Sequence, residues 1–509
     1  PTEPALRILP YASAVPYVLL VQPPEGRDWT FTPHHRWWWH FLHREERDRG
    51  QDYLEDHFAA GEISVQLHAG DTFTLTAALA GGPRSGAAVE GVGGSADGPA
   101  KTAAQPGVQG SASPPGGARA ESAEELFETQ LRRAAAAFIV SRPIPGQDSG
   151  RTVVAGYHWF GDWGRDTFIA LPGLALATGR LDECRQMVKT FATYVNQGML
   201  PNRFPDSGAP LNDGDYNTLD ASLWYVHAVD ALDRLTGGGL VAEVFPTLVE
   251  IVDWHIKGTR FGIRVDPADG LVRADDPQLT WMDAKVGDWV CTPRDGKPVE
   301  IAALWHHALQ LVEIWSRLLG RRTAEARKYA ALRVTAADSF GKRFWNRRLG
   351  HLNDTIDSAR GDDGSLRPNQ IIAAALPESP LTAAQRKGVV DTVVSRLWTP
   401  RGVRTLDPAD PNYRPRYEGD VWSRDGAYHQ GTVWPWLLGP LVDAHLAVYN
   451  DKKAARQLIA PLADHLFAEG CAGHISEIFD AELPHTPRGA IAQAWSTAEL
   501  FRAWMNTVH

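Results

Sequence analysis

The stretch "TFIALPGLALATGRLDECRQMVKTFATYVNQG", residues 167–198, holds two helical runs separated only by Gly179-Arg180. The same grammar recurs down the chain. Helical patterning predicts helices near 122–140, 167–178, 181–197, 218–235, 240–257, 300–320, 323–345, 368–377, 381–397, 431–449, 453–469 and 488–506. "SAEE" at 122–125 marks the first start, with Ser122 ahead of an acidic first turn. After each even helix the next begins almost at once, across "GR", "TGGG", "GRR", "LPES" or "NDKK". After each odd helix comes a long segment rich in Gly, Asp and Trp: 141–166, 198–217, 258–299, 346–367, 398–430 and 470–487. Loops of that length are usually functional or disordered. Six hairpins joined this way place all six long loops at one end. Closed into a ring, they form a double barrel of six inner and six outer helices. The rival is an open helical solenoid, which the absence of a repeating motif argues against.

The rest of the chain reads differently. Residues 1–80 are predicted as a small antiparallel β domain from "YVLLVQ" (17–22), "EISVQLHAG" (62–70) and "DTFTLTAAL" (71–79), with "HREERDRGQDYLED" as a turn or short helix. Residues 81–121, almost all Gly, Ala, Ser and Pro, read as a flexible linker. Residues 122–509 form the helical domain. The start at Pro1 reads as a processed or truncated product.

The 509 residues carry a net charge of -10, and no Lys/Arg block points to nucleic acid. No run approaches the ~18 apolar residues of a membrane span. Cys184, Cys291 and Cys471 lie far apart without metal spacing, which favours a reducing, cytoplasmic setting over a disulfide framework. His158, His306 and His429 also lack metal spacing, so neither metal nor cofactor is expected. The unusual count is 19 Trp against 4 Met. Clusters such as "RWWWHF", "GYHWFGDWGRD" and "TVWPW" sit beside Gly, Asp and Pro, where flat aromatic faces suit sugar rings better than a core.

Carboxylates fall in the same long loops. The first ends in Arg165-Asp166, and the second leads into Asp213, Asp215 and Asp220. The third, "TWMDAKVGDWVCTPRDGKPVE", holds Asp283, Asp288, Arg294 and Glu300, and the sixth holds Glu477 and Asp480. Taken singly, Asp166 could be an N-cap, Asp220 a helix-dipole partner and Glu477 a solvated loop acid. Their convergence at one end argues for a pocket. An acidic, aromatic pocket without metal ligands suits glycoside hydrolysis, which needs one protonated carboxyl and one carboxylate. Asp283, after Trp281 and Met282, has the most apolar neighbours and suits the acid. Glu477, near Ser476 and His474, suits the ionised partner.

These segments also resemble a known family. "WFGDWGRDTFIALPGLALATGR", "YNTLDASLWY", "TWMDAK", "TPRDGKPVEIAALWHHAL", "RTLDP", "YHQGTVWPW" and "AQAWSTAELF" are similar, in order over roughly 140–509, to the C-terminal amylo-α-1,6-glucosidase domain of glycogen debranching enzymes. The resemblance implies a mainly α fold: an (α/α)6 barrel preceded by a β-sandwich, here read as incomplete. It implies inverting hydrolysis of α-1,6-linked glucose stubs on glycogen or branched α-glucans. Asp283 would be the general acid and Glu477 the general base. Arg165 and Asp166 would hold the terminal glucose. Trp163, Asp220, Trp281, Arg294, Glu300, His429, Gln430 and Trp434 would line or support the pocket. Nothing in the chain resembles the transferase region of the two-activity enzymes. The rival readings are an exo-acting α-1,4-glucosidase or trehalase-like hydrolase on the same barrel, a glycoside phosphorylase, and a non-catalytic glucan-binding protein.

Overall fold

The computed structural model describes residues 5–8, 17–24, 26–44, 47, 54–79, 122–144, 147–204 and 210–508. The chain divides into two compact units, Pro1–Arg119 and Ala120–His509. The predicted linker 81–121 lies outside the described residues.

In the first unit, β1 (Ala5–Ile8), β2 (Tyr17–Gln22) and β5 (Thr74–Leu79) form an antiparallel sheet in the order β1-β2-β5. The long strands β3 (Trp29–Leu42) and β4 (Leu54–Val65) form a separate hairpin. "YVLLVQ" is a strand end to end, as its β-branched, apolar composition predicts. "RWWWHF" proves to be strand, and its side chains Trp37, Trp38 and Trp39 are exposed.

The second unit is mainly helical, with small antiparallel sheets in its loops. Its first helix is α1 (Ala123–Ala136), which Ser122 and Glu125 close with a reciprocal capping box. The hairpin 167–198 is α2 (Gly164–Thr178) and α3 (Leu181–Ala192). Gly179 turns the chain between them at φ +68°, a left-handed conformation that glycine adopts without a Cβ clash. Then follow α4 (Ala221–Leu235), α5 (Leu240–Lys257), α6 (Val299–Leu318), α7 (Thr323–Arg343), α8 (Gln370–Ala375) and α9 (Ala383–Arg396). A short helix, α10 (Val421–Ala427), lies inside the fifth long loop. The chain ends with α11 (Leu438–Tyr449), α12 (Lys452–Gln457), α13 (Leu462–Ala468) and α14 (Ala494–Val508).

The packing order explains the burial. Helix α2 packs on α4, α4 on α6, α6 on α8, α8 on α11, α11 on α14, and α14 back on α2. The α1, α3, α5 and α9 helices each lie against two members of this circuit. Helix α2 is buried on nearly every side, as an apolar helix without a polar face must be. No described helix is long and apolar enough to cross a membrane.

Local expectations change, among them the predicted helix 431–449, which begins only at Leu438 behind the strand Val433–Trp434. Arg165 and Asp166 lie in the first turn of α2, not in the loop before it, and the N-cap position belongs to Trp163. The predicted helix 453–469 is broken into α12 and α13 around Pro461. "TVWPW" is core: Trp434 and Trp436 are buried, together with Trp281, Trp305 and Trp495.

The seam between α2 and α14 depends on one small residue. A Cβ at Gly173 would lie 2.2 Å from the carbonyl oxygen of Ala498. Gly173→Ala is therefore expected to destabilise the helical unit by about 1–3 kcal/mol through overpacking, read as a lowered urea midpoint. An unchanged midpoint would mean that the seam relaxes freely.

Candidate active site

The first turns of the circuit's helices and the loops before them carry the polar groups. Arg165, in α2, is the hub. Its Nε donates to both carboxylate oxygens of Asp220, at 2.8 and 2.9 Å, and its Nη1 donates to Asp283 Oδ2 at 2.8 Å. Asp220 holds the N-cap position of α4 but makes no cap hydrogen bond. Its carboxylate instead takes Arg165 and the Thr218 hydroxyl, 2.8 Å away. Its acid is thus committed to Arg165, not to its own helix.

Asp283 follows two buried residues, but their apolar surface turns into the core. The Trp281 indole donates to Asn369 Oδ1 at 2.7 Å and packs edge-on against His429, Trp434 and Trp436. The Asp283 side chain keeps about a third of its surface open. Burial raises its pKa from the ordinary value, and Arg165 opposes that rise.

Glu477 is enclosed, and its surroundings differ from those its sequence neighbours suggest. Ser476 donates its backbone N–H to His465, and the His474 ring meets Phe138. The Glu477 carboxylate instead accepts the Tyr428 hydroxyl on one oxygen and the Ala490 N–H, at 2.7 Å, on the other. Burial pushes its pKa up to about 7, against the pull of those two donors. Asp166, also buried, is pushed up to about 7 by burial. Arg165 opposes that shift, while the charges of Asp283 and Glu477 add to it. Asp166 thus feels both candidate catalytic carboxylates, and so does Tyr428. One guanidinium faces Asp166, Asp220 and Asp283, so it cannot neutralise all three, while Glu477 is raised by its own burial.

A second charged node lies behind the first. Arg294 is bound by Glu300 and by Asp354, whose Oδ2 lies 2.8 Å from Nε. Asp354 also accepts from Asn369 at 2.7 Å, which links the node to Trp281. Arg367 donates to the His429 carbonyl at 2.8 Å and to Gln430 at 2.9 Å, and Gln430 donates to the Cys291 carbonyl. Arg294, Glu300 and Trp434 are buried too deeply to line an open pocket and instead hold its walls. His429 stacks on Trp434, and burial keeps its imidazole neutral. Trp163 is half-buried beside Phe160.

Asp480 and Asp288 are separate. Asp480 ties the Tyr417 N–H to Arg488, and Asp288 is exposed at a hairpin tip. Sequence reasoning missed Tyr428, Asp354, Arg367 and Asn369, because each acts through partners distant in the chain. The only local signal was the place of Tyr428 and His429 in "YHQGTVWPW". Among the described residues, His43, Glu55 and His57 come close enough to share a metal ion, as do Asp266, Asp269 and Asp357. The Lys297 ammonium already holds the second group, at 2.7–2.8 Å from each carboxylate.

Residues 133–502 match the family model described as amylo-alpha-1,6-glucosidase, and residues 3–74 match the glycogen debranching enzyme N-terminal model. Glycogen debranching enzyme of Saccharomyces cerevisiae is 30% identical over 371 residues, covering 54% of this chain and 24% of that protein. The chain thus spans about a quarter of the length of that curated relative. Among solved structures, the mannosylglycerate hydrolase of Thermus thermophilus bound to Tris is similar at a TM-score of 0.53, with 14% identity, over 74% of this chain and 99% of that one. The same enzyme bound to glucose matches at 0.52, with 16% identity, over 74% and 99%. At these identities the likeness concerns the fold.

The buried carboxyls set a pH dependence. Glu477 binds its proton more tightly folded than unfolded. Its stabilising contribution is complete below the unfolded value of ~4.3 and is lost as pH rises through about 7. Glu477→Gln cannot ionise. In thermal denaturation it is expected to exceed the parent in stability at pH 8, by up to about 3 kcal/mol. That advantage should shrink toward zero near pH 4. An equal difference at both pH values would show that Glu477 does not titrate this way.

Proposed function

The chain belongs to the amylo-alpha-1,6-glucosidase family of glycoside hydrolases, and from that premise we propose that it removes α-1,6-linked glucose stubs from glycogen or branched maltodextrins, with inversion at the anomeric carbon. The circuit of helices is read as an (α/α)6 barrel spanning 122–509, with 1–80 as an N-terminal β domain and 81–121 as a linker. The setting proposed is cytoplasmic, and the partner is a branched α-glucan. No transferase step is assigned to this chain.

The observation that carries this reading is the Arg165 hub, with Asp283 and Glu477 both acting on Asp166. Asp283 gives its proton to the glycosidic oxygen as the bond to the branch glucose breaks. Glu477 takes a proton from the water that attacks the opposite face. Inversion requires space for that water, so the two carboxyl groups are expected ~6.5–9.5 Å apart. Tyr428 and the Ala490 N–H fix both oxygens of Glu477 and so set the direction in which it receives the proton. Asp166 and Arg165 hold hydroxyls of the departing glucose. Burial holds Asp166 and Glu477 near neutral pH, where proton transfer is most efficient.

One observation favours a second reading, in which the roles are exchanged. Arg165 pairs with Asp283, which suits an ionised base, and burial pushes Glu477 up to about 7, which suits an acid.

A substrate that needs no leaving-group protonation separates the two. Asp283→Asn is expected to lose roughly 10³-fold on a branched oligosaccharide while keeping most of its activity on α-glucosyl fluoride. Glu477→Gln should lose activity on both. The opposite pattern assigns the exchanged roles, and full activity in both variants would defeat the pairing. NMR of the wild-type reaction should show β-glucose first; α-glucose first would rule out inversion.

A further inference from the structure

Trp289 and Trp422 come from different long loops yet lie parallel, with ring centroids 5.5 Å apart and 13° between their planes. Trp289 lies on the hairpin Lys285–Val286/Trp289–Val290, which begins two residues after Asp283. Trp422 is the second residue of α10, and the residue after that helix is Tyr428, which holds Glu477. The stack therefore bridges the loop of one candidate catalytic carboxyl and the segment that positions the other.

The stack is built to be rigid. Arg414 lies 5.5 Å over the Trp289 ring. At Gly426 a Cβ would come within 2.8 Å of Trp289 Cη2 and 2.4 Å of Arg414 Nη1, so only glycine permits the approach. Despite this support, Trp422 remains 55% exposed, and neighbouring Val421 is also exposed. A clasp serving only to join two loops would gain by burying that ring. A fixed indole open to solvent, on loops that carry candidate site residues, instead offers a flat apolar face, which the C–H face of a pyranose covers well. Exposed Asp288 and half-exposed Glu418, which also takes Arg488, lie on the same two loops and can accept from hydroxyls.

We propose that the Trp289–Trp422 stack is the platform for the leaving glucan, binding the α-1,4-linked main chain from which the scissile glucose branches. This rests on the hydrolase reading above and adds where its specificity for a branched polymer arises. Trp422 contributes the contact surface, and Trp289 and Arg414 hold it in place.

The test compares kcat/KM on a maltooligosaccharide bearing one α-1,6-glucose with kcat/KM on α-glucosyl fluoride, which has no main chain. Trp422→Ala is expected to lower the ratio of the two by roughly tenfold, mainly through KM for the branched substrate. Trp422→Phe should recover most of it. An unchanged ratio, with both substrates slowed alike, would show a purely structural clasp and overturn the proposal. Calorimetric binding of maltoheptaose to wild type and Trp422→Ala provides a readout independent of hydrolysis. Weaker binding in the variant supports the platform even if the wild type cleaves neither substrate, in which case the hydrolase reading alone falls. Equal binding overturns the platform even if cleavage is normal.

Discussion

The site is organised by the desolvated guanidinium of Arg165. Burying an isolated cation is prohibitive unless carboxylates and hydrogen bonds replace its water. Arg165 obtains them from Asp220, at the start of α4, and from Asp283, in the loop before α6. One side chain on α2 thereby sets the position of a neighbouring helix and of a candidate catalytic carboxyl. The same hub has too little charge to neutralise every acid that faces it. Burial pushes Asp166, beside that hub, and Glu477 both up to about 7. A requirement of burial thus becomes a chemical property of the pocket.

The support behind Arg165 repeats this logic at greater depth. Arg294, Glu300 and Asp354 are all buried and satisfy one another, and Asn369 passes their position on to the Trp281 indole. Breaking one member would leave an uncompensated buried charge, so the network is a strong geometric restraint. Trp281, Trp434, Trp436 and Trp495 complete the wall by edge and stacked contacts at 5.2–5.7 Å. These tryptophans shape the pocket from behind. Open aromatic surface in the long loops lies at Trp422 and Trp159.

The order of helices and loops was readable because helical periodicity and glycine punctuation are local. "GR" between α2 and α3 and the capping box before α1 needed no tertiary knowledge. The candidate acids were readable as members of the long loops and the turns that follow them, and Asp166, Asp220 and Asp283 meet at Arg165. Environment was not readable. Met282 and Trp281 adjoin Asp283 in sequence yet turn inward, and Arg165, 118 residues away in sequence, meets its carboxylate. Ser476 and His474 adjoin Glu477, but the hydroxyl that binds it belongs to Tyr428.

The sequence by itself therefore determined most of the helices, which loops carry carboxylates and which family motifs they spell, since each depends on residues within a few turns of one another. Only the tertiary structure decided which acids share Arg165, which tryptophans are sealed and which stay open, and how tightly Glu477 holds its proton. Those properties depend on desolvation and on charges brought together from across the chain, and no local pattern encodes the distance between them.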